Sequence, residues 1–530
     1  MTQQPSAADY VVVGTGSAGA VLANRLSTDP RNQVVALEAG PEDKNKFAHI
    51  PAAFAKLFRS EVDWDYLTEP QPELGGRQIY WPRGKMLGGS SSMNAMMWVR
   101  GFAADYDEWA DLTDDTSWSF SEVVKYFRRI ENVQDGAYPD TGNAGPVIVS
   151  HQRSPRPLTT AFLDAVTETG YDLERANTAR PEGFSRSMVT QKRGARWSTA
   201  DAYLRPALRR ANLTVLTEAH ATRIVFDGTA AVGVDYVKDG IRRTIRARKE
   251  VILASGAVNT PQLLMLSGVG DEQHLRRHGI AVHHHLPEVG RGLTDHFVSA
   301  FGYSVDDGSL FAADKIPELV NYLLRRKGML TSNVEEAYGF ARSRPDLPLP
   351  DLEILFAPAP FFEEGLVAPT AHAVVIGAVL LKPVSRGQIT LRSADPAAKP
   401  VIDPRYLSDT DGIDRNAMLE GLRICAALAS APSLKSQLGP IVRPVVPPGT
   451  SDEEMLTRAL EELGQTIYHP VGTCRMGRDA ASVVTPDLEV RGIDKLRIAD
   501  ASVMPAIIRG HTHAPSVLIG EKAADLIRNT

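Results

Sequence analysis

The chain has 530 residues, 43% of them hydrophobic, with a formal net charge of −6 and an isoelectric point near 6.1. This balance lacks the basic footprint of a nucleic-acid-binding protein, its two cysteines argue against a disulfide framework, and no apolar run reaches the ~20 residues that cross a bilayer. With a short polar start that predicts no signal peptide, we expect a cytoplasmic protein without a transmembrane segment or a nucleic-acid partner.

The first predicted unit, from Tyr10 to Glu38, is a strand, a glycine loop, a helix and a second strand. Gly14 permits a tight turn, Gly16 allows a pyrophosphate to approach the backbone, and Gly19 lets the helix pack closely on the strand. The helix N-terminus offers N–H groups to phosphates, and Glu38 is spaced to accept hydrogen bonds from a ribose. The unit predicts dinucleotide binding, with contacts at Gly14, Gly16, Ser17, Ala18, Gly19, Glu38 and Ala39.

Two later segments predict further strands of the same sheet. Residues 251–253 form an apolar run that leads to Gly256, and residues 496–498 form another short strand, which leads to Asp500. Because parallel sheets bind ligands at the carboxyl edge of their strands, these segments are expected at one site. Between them, the stretch 299–454 shows strand-like alternation. We predict an α/β chain (α+β overall), with a Rossmann-like dinucleotide-binding domain and a discontinuous antiparallel-sheet substrate domain.

A second glycine- and serine-rich loop spans residues 84–94, and by itself it also fits an ordinary surface loop. Three further blocks of similar character follow at 256–270, 468–477 and 499–505. Together the four blocks resemble the signatures of the glucose–methanol–choline (GMC) oxidoreductases, in the branch that contains choline dehydrogenases and alcohol oxidases. The resemblance covers nearly the whole chain and is weakest between about 300 and 380.

The resemblance implies FAD as the cofactor, held by an FAD-binding domain at 1–298, with 155–190 as an open alternative for the second domain. It implies a substrate-binding domain at 299–454 and a C-terminal segment, 455–530, that returns to the FAD-binding domain with the catalytic histidines. Relatives that attach FAD covalently use a histidine where this chain has Met93, so we expect non-covalent FAD. Further FAD contacts are implied at Gly89, Ser91, Asn94, Thr222, Asp500, Ala501 and His513.

Two histidines carry the expected chemistry. His469 matches the family's catalytic histidine, and imidazole suits the removal of a hydroxyl proton because its pKa lies near neutrality. Taken alone, a histidine before a proline also fits a structural turn. His513 precedes a helix predicted from about Pro515, and the resemblance puts it beside flavin N5, where it would bind the substrate oxygen and assist the base. His511 is expected to be structural.

Other polar and aromatic residues receive structural interpretations or stay open. Asp295 and His296 are expected in a turn and Cys474 in the core. No metal site is predicted, because the consecutive histidines 283–285 point to opposite faces of a strand and no Cys or His pair completes a tetrahedral set. A cationic substrate would need a carboxylate, for which the sequence offers, without placing them, Glu335, Glu336 and Glu353. Residues that fit either a substrate pocket or the core are Trp98, Phe361, Phe362 and Tyr468.

The expected activity is FAD-dependent oxidation of a primary alcohol to the aldehyde, by hydride transfer to flavin N5 with His469 as general base. Choline dehydrogenase activity is the alternative at the level of the substrate. A lyase that uses FAD as a scaffold, of the hydroxynitrile lyase type, and a flavin photodecarboxylase are the alternative functions. The electron acceptor is either oxygen or a quinone or other carrier, and the sequence leaves this choice, the particular alcohol and the oligomeric state open.

Overall fold

The first sheet gathers strands from distant parts of the chain. In the computed structural model, which describes residues 5–134 and 140–529, parallel pairing joins five strands in the order 213–216, 34–37, 7–13, 241–253 and 496–498. Antiparallel strands continue the sheet on the other part of the long strand 241–253. The bounds of its seven strands are Ala7–Val13, Val34–Leu37, Leu213–Leu216, His220–Asp227, Ala230–Lys238, Ile241–Leu253 and Leu496–Ile498.

The register confirms that the three predicted strand segments meet at one edge. Val251 pairs with Val11 on one side and with Leu496 on the other. Strands buried on both faces read as continuous apolar runs, which is why each segment was recognisable from its composition. The helix Ser17–Leu26 packs against the C-terminal helix His513–Asn529, so the end of the chain returns to the sheet with which it began.

The second sheet is antiparallel, as predicted. Along Leu352–Ala357, alternate side chains face opposite ways: Leu355 lines a cavity, whereas Ile354 and Phe356 join a core with the helix Ile413–Ser430. This alternation gives the sheet one face for packing and one face for a ligand. Its strands are Phe184–Arg186, Phe297–Ser304, Ala337–Ala341, Leu352–Ala357, Ala373–Leu380, Ile441–Arg443 and Gln465–Thr466.

The strands fit the predicted division of the chain except near its boundaries. Phe184–Arg186 joins the second sheet, in line with the open alternative for 155–190. The boundary at 298 falls inside the strand Phe297–Ser304. The segment 455–530 begins on the second sheet, where Gln465–Thr466 pairs, and only then returns to the first. The fold class is confirmed as α/β, and the division itself stays a prediction.

Smaller elements complete the described residues. None of the helices in this part of the chain is both long and apolar enough to cross a membrane. The prediction that the chain starts without a signal peptide rests on its first residues, and residues 1–4 lie outside the described range. The remaining α-helices are Ala103–Thr113, Phe120–Ile130, Pro157–Glu168, Arg205–Ala207, Gly256–Leu266, Glu272–Arg277, Ile316–Arg325, Pro432–Lys435 and Asp452–Leu463. Short strands are Tyr66–Leu67, Tyr80–Trp81, Glu131–Val133, Val147–His151, Met188–Val189, Gln191–Lys192, Ala195–Arg196, Val269–Gly270, His284–His285, Arg291–Leu293, Gly387–Thr390 and Val401–Asp403.

Candidate active site

A cavity of about 400 Å³ is lined by residues from both sheets. This volume lies in the usual range for small-molecule and cofactor sites. One part of its lining, which we call the glycine side, consists of residues 13–18, 37–39 and 219–221. Another part, the histidine side, contains Glu335, Tyr468, His469 and His511. The two sides differ in how they are built.

On the glycine side, backbone geometry determines which residues are glycines. Gly14 has φ +96°, a conformation that favours glycine. A Cβ on Gly19 would lie 2.0 Å from the Gly14 carbonyl oxygen, so the helix packs directly on the turn. Gly14, Gly16, Ser17 and Ala18 line the cavity, whereas Gly19 does not. The predicted turn and packing roles are therefore present, and contact with a phosphate stays a prediction.

Glu38 ends the second strand of this unit and lines the cavity with Ala39. Its carboxylate accepts hydrogen bonds from Thr15 N at 3.1 Å, Thr15 Oγ1 at 2.7 Å and Gly40 N at 3.0 Å. Burial raises the pKa of Glu38. The carboxylate thus ties the glycine loop to the strand end, a role that sequence reasoning missed because Thr15 occupies a variable place between two glycines. Binding of a ribose stays a prediction.

The second glycine loop, residues 84–94, lies in close contact with the first. A Cβ on Gly89 would lie 2.8 Å from Gly16 Cα, so both loops present bare backbone there. Asn94 lines the cavity, with its Oδ1 accepting a hydrogen bond from Arg196. Ser91 is buried, with its hydroxyl 2.7 Å from Thr199 Oγ1, and does not line the cavity, so its contact with FAD stays a prediction.

The third strand segment brings Asp500 and Ala501 to the cavity, as expected. Asp500 Oδ2 accepts hydrogen bonds from Gly256 N and Thr260 Oγ1, at 2.9 and 2.6 Å, and so holds the start of the helix Gly256–Leu266. Burial raises the pKa of Asp500. Thr222 does not line the cavity, because its hydroxyl donates to the Asp235 carbonyl; the preceding residues 219–221 lie there instead.

The tautomer of His469 follows from a chain of hydrogen bonds. His296 Nε2 lies 3.1 Å from the Leu381 carbonyl oxygen, which can only accept, so this nitrogen carries the proton. Burial, together with His511, lowers the pKa of His296 to about 3, so its Nδ1 is a free acceptor. His469 Nδ1, 2.9 Å away, must then donate. The assignment rests on this network, and it leaves His469 Nε2 with an unprotonated lone pair.

The backbone around His469 is also held in place. His469 N donates to Asp295 Oδ1 at 2.8 Å, and Thr466 Oγ1 donates to the same carboxylate. Tyr468 has φ +71°, an uncommon conformation for a tyrosine. Arg83 stabilises it by donating to the Tyr468 carbonyl at 2.7 Å. Asp295 and His296, expected in a turn, are thus in direct contact with the predicted base.

His511 is the histidine that faces His469, with ring centroids 4.7 Å apart. Its Nε2 lies 3.1 Å from Glu353, a fully buried carboxylate on the second sheet. Burial opposes the charged imidazolium, but Glu353 outweighs it and the pKa of His511 is raised. Burial and the charge of His511 lower the pKa of His469 well below its ordinary value. The pair therefore combines a histidine whose pKa is lowered with one whose pKa is raised.

His513 occupies a different place from the one predicted for the partner of the base. It begins the C-terminal helix, lines the cavity, and its Nδ1 lies 2.9 Å from Ser17 Oγ on the glycine side. Burial, with Arg196, lowers its pKa to about 4. The helix starts at this residue, and it is His511, two positions before the helix, whose ring faces His469. Its match to the first Asn of the family pattern was the signal that could have found it.

The three candidate carboxylates lie in different places in the structure. Glu335 lines the cavity, and burial raises its pKa to about 7. Glu336 is buried away from the site and accepts from Thr159 Oγ1 at 2.6 Å, whereas Glu353 holds His511. Of the aromatic candidates, Trp98 belongs to the core and donates to Glu131. The cavity is lined by the others, Phe361, Phe362 and Tyr468.

One group in the described residues has the spacing of metal ligands, Asp43, His49 and Asp201. Both of its carboxylates already bind Arg205, at 2.6 and 2.9 Å. His49 Nε2 is 2.8 Å from a backbone oxygen. These contacts account for the cluster as an ion-pair network.

The cavity is lined by two glycine loops in close contact, by a carboxylate at the end of a strand and by a pair of histidines. This combination is the one expected of a dinucleotide-dependent oxidoreductase. Comparison with known families agrees: residues 8–298 and 383–520 match the N- and C-terminal models described as GMC oxidoreductase. The chain belongs to the GMC oxidoreductase family, whose members are FAD-dependent enzymes that act on CH–OH donors.

Three relatives align along almost the whole chain. An uncharacterized GMC-type oxidoreductase of Mycobacterium tuberculosis is 65% identical over 98% of this chain and 99% of its own. An alcohol dehydrogenase [acceptor] of Pseudomonas putida is 42% identical over 98% and 95%. The mitochondrial choline dehydrogenase of Homo sapiens is 40% identical over 98% and 89%.

Two solved structures share the fold. Pyridoxine 4-oxidase from "Mesorbium loti" superposes with a TM-score of 0.89 at 30% identity, over 98% of this chain and 99% of its own. Formate oxidase of Aspergillus oryzae, in a variant that was solved to study FAD modification, superposes with a TM-score of 0.91 at 29% identity, over 100% and 99%.

Proposed function

We propose that the protein is an FAD-dependent enzyme that oxidises a primary alcohol to the aldehyde, with His469 as the general base. The observation that carries the proposal is the hydrogen-bond chain through His296, which leaves His469 Nε2 unprotonated on the cavity. Neighbouring groups whose pKa values are pushed apart are typical of an acid and base pair. His511, paired with Glu353, is the member whose pKa is raised, and we assign it the role of the protonated partner.

The residues of the chain have distinct parts in this reaction. His469 Nε2 accepts the hydroxyl proton of the alcohol, while His296 fixes the ring that receives it. His511 commits Nε2 to Glu353, so its Nδ1, which makes no hydrogen bond among the described residues, is the nitrogen available to the substrate oxygen. A positive charge there favours the alkoxide that forms as the proton leaves. FAD, when bound, supplies N5 as the acceptor of the hydride.

The lining of the cavity fits FAD. Gly14, Gly16, Ser17 and Ala18 offer backbone to a pyrophosphate at a helix start, and Glu38 with Ala39 lies where an adenosine ribose would bind. Asn94 and His513 extend the lining towards the histidine side. Met93 is 3% exposed and lines the cavity, and a thioether cannot form a histidyl link, so we propose dissociable FAD. Acid precipitation is expected to release the flavin, and a yellow pellet would contradict this point.

Two further parts of the proposal rest on relatives and on cysteine usage. The relative from Pseudomonas putida is an alcohol dehydrogenase [acceptor], which supports an alcohol substrate and an electron carrier as the electron acceptor. Oxygen stays the alternative acceptor. We propose a cytoplasmic location, because Cys425 and Cys474 are both buried free thiols. No observation at the site favours a lyase or a photodecarboxylase.

The decisive experiment mixes the holoenzyme anaerobically with a panel of primary alcohols and follows flavin bleaching. At least one alcohol is expected to bleach the flavin, and in His469→Ala the rate is expected to fall by roughly 10²- to 10⁴-fold while the protein keeps its yellow FAD. His283→Ala, which changes a histidine far from the cavity lining, is the control. Wild-type rates in His469→Ala would refute the assignment of the base, and no bleaching by any alcohol would refute the activity.

A further inference from the structure

The helix Ile316–Arg325 exposes its apolar side chains to solvent instead of burying them against the protein. Of the fifteen exposed large hydrophobic side chains in the described residues, five lie in this ten-residue helix. They are Ile316, Leu319, Val320, Leu323 and Leu324, with exposed fractions of 76, 41, 46, 61 and 79%. This spacing is one continuous stripe of a helix. We call the stripe the outer face.

The inner face of the helix is held by polar contacts. Tyr322 is 1% exposed and its hydroxyl lies 3.3 Å from the His49 carbonyl. Glu318 accepts a hydrogen bond from Met329 N at 2.9 Å, which ties the helix to the turn that follows. The orientation is thus specified, because rotating the helix to bury the outer face would break both contacts. A stripe that stays exposed in this way is typical of an interaction surface.

Cations lie at both ends of the outer face. Lys315 precedes the helix, and Arg325, Arg326 and Lys327 end it, all four exposed. No ion pair within 5–134 and 140–529 uses any of them. Against Asp314 and Glu318 they give this short segment a positive balance in a chain of net charge −6. Apolar side chains flanked by Lys and Arg are the pattern of a helix that lies in the plane of a membrane surface.

A second exposed apolar patch follows a turn whose residues Glu363 and Glu364 line the cavity. Leu366 and Val367 are 39 and 52% exposed and follow the turn Glu363–Gly365. Both this turn and the turn after the helix pack on the segment Pro51–Leu57. That segment contributes Phe54 to the cavity lining. The helix and the patch are therefore both connected, through turns, to a segment that lines the cavity.

We propose that the outer face docks the enzyme on the surface of a bilayer that contains anionic lipid. The apolar side chains would enter the boundary between headgroups and acyl chains, and the flanking cations would bind lipid phosphates. A second copy of the chain fits the surface less well. A two-fold contact of the same face, with the helices parallel or antiparallel, would bring Lys315 or the 325–327 cluster against cations of the other copy.

The test is flotation of the holoenzyme with vesicles of phosphatidylglycerol and phosphatidylcholine, compared with phosphatidylcholine alone. Binding is expected with the anionic vesicles and is expected to weaken with added salt. The double variant Leu323→Gln with Leu324→Gln is expected to lower vesicle affinity by roughly tenfold. Arg325→Gln with Lys327→Gln is expected to remove much of the salt dependence. Because all four side chains are exposed, unchanged thermal unfolding is expected to show that the variants fold.

The matched control is Leu112→Gln with Ile241→Gln, which removes two exposed apolar side chains elsewhere, at 49 and 56% exposure. This control is expected to float like the wild type. The proposal is overturned if the holoenzyme does not float, or if the Leu323 and Leu324 variant floats equally well. It is also overturned if that variant changes only the mass measured by sedimentation equilibrium, because the outer face is then a contact between copies. Alcohol oxidation is not measured, so this outcome is independent of the proposed activity.

Discussion

On the glycine side of the cavity, positions are determined by how closely the backbone approaches itself, whereas on the histidine side they are determined by hydrogen bonds between side chains. Gly19 is required because a Cβ would meet the Gly14 carbonyl. His469 is oriented by His296 and Asp295, both from another part of the chain. A single added methyl group is therefore expected to disrupt the glycine side. The histidine side is expected to respond to changes of charge that leave its shape almost unaltered.

The difference has a consequence for what each side can tolerate. Overpacking against backbone cannot be relieved by a change of rotamer, so it is transmitted to the fold. A buried carboxylate replaced by its amide keeps its volume and most of its packing, so its effect is expected in the pKa of the neighbour. Stability measurements should thus report on the glycine side, and pH profiles on the histidine side.

The largest effect is expected from Gly19→Ala. The new Cβ would lie 2.0 Å from the Gly14 carbonyl oxygen and 3.2 Å from Ala254 Cβ, so the helix must move off the strand. We expect a loss of ~1–3 kcal/mol in the free energy of unfolding, or more, measured by denaturant unfolding of the FAD-free protein. FAD is expected to be lost with the fold.

Gly16→Ala is the matched control for this variant. Its new Cβ would have nothing nearer than Gly89 Cα at 3.9 Å, and Gly16 has no positive φ. The FAD-free protein is expected to keep its stability. If Gly16 faces the pyrophosphate, this variant should lose FAD affinity alone. Equal destabilisation by both variants would mean that the glycine side is not determined by close approach of the backbone.

The second effect concerns charge on the histidine side. In Glu353→Gln, His511 loses the carboxylate that raises its pKa, so the imidazolium deprotonates at lower pH. A group with a raised pKa keeps its proton below that pKa and loses it above. The alkaline limb of the flavin-reduction rate is therefore expected to move to lower pH, with a loss at neutral pH of roughly tenfold, measured by anaerobic stopped flow.

Glu336→Gln is the control for this charge effect. Glu336 is equally buried and lies beside the strand that carries Glu353, but it is bound by Thr159 and Ser332 rather than by a histidine. Its substitution is expected to lower stability and to leave the alkaline limb where it was. A limb that moves equally in both variants, or in neither, would contradict the assignment of His511 as the protonated partner.

The contrast also explains how far the site could be predicted from the sequence. The turn at Gly14, the packing of Gly19 and the meeting of the three strand ends follow from local composition and the parallel-sheet rule. That Ser91, in the tight turn Gly89–Ser92, does not line the cavity could not be read from the loop's composition. Thr222 follows the lining residues 219–221 by one position, and a step of one residue along a strand reverses the face of a side chain.

The histidine side needed information that no short segment contains. The contact of Glu353 with His511 depends on the register of a strand in the second sheet and on the return of the C-terminus. His511 and His513 differ by only two positions, and the point at which the helix starts decides which ring meets His469. His469 could be proposed as the base from the resemblance, but its tautomer required His296 and Leu381, which are distant in sequence.

The smallest effect, and the sharpest probe of substrate choice, is expected from Glu335→Gln. Burial raises the pKa of Glu335 to about 7, against the positive charge of His511, which lowers it. A carboxyl group is charged above its pKa and neutral below it, so the wild-type cavity gains a negative charge as pH rises through about 7. Beside Tyr468, Phe361 and Phe362 on the lining, this charge would favour an alcohol that carries an ammonium group.

We expect kcat/KM for choline to fall about fivefold in Glu335→Gln, or ~1 kcal/mol, and to lose its rise near neutral pH. The neutral isostere of choline, in which a tert-butyl group replaces the ammonium, should be almost unaffected, since the two molecules share their shape. Equal losses for both would show that Glu335 acts through His511 rather than on the substrate, and would join it to the charge network of the histidine side.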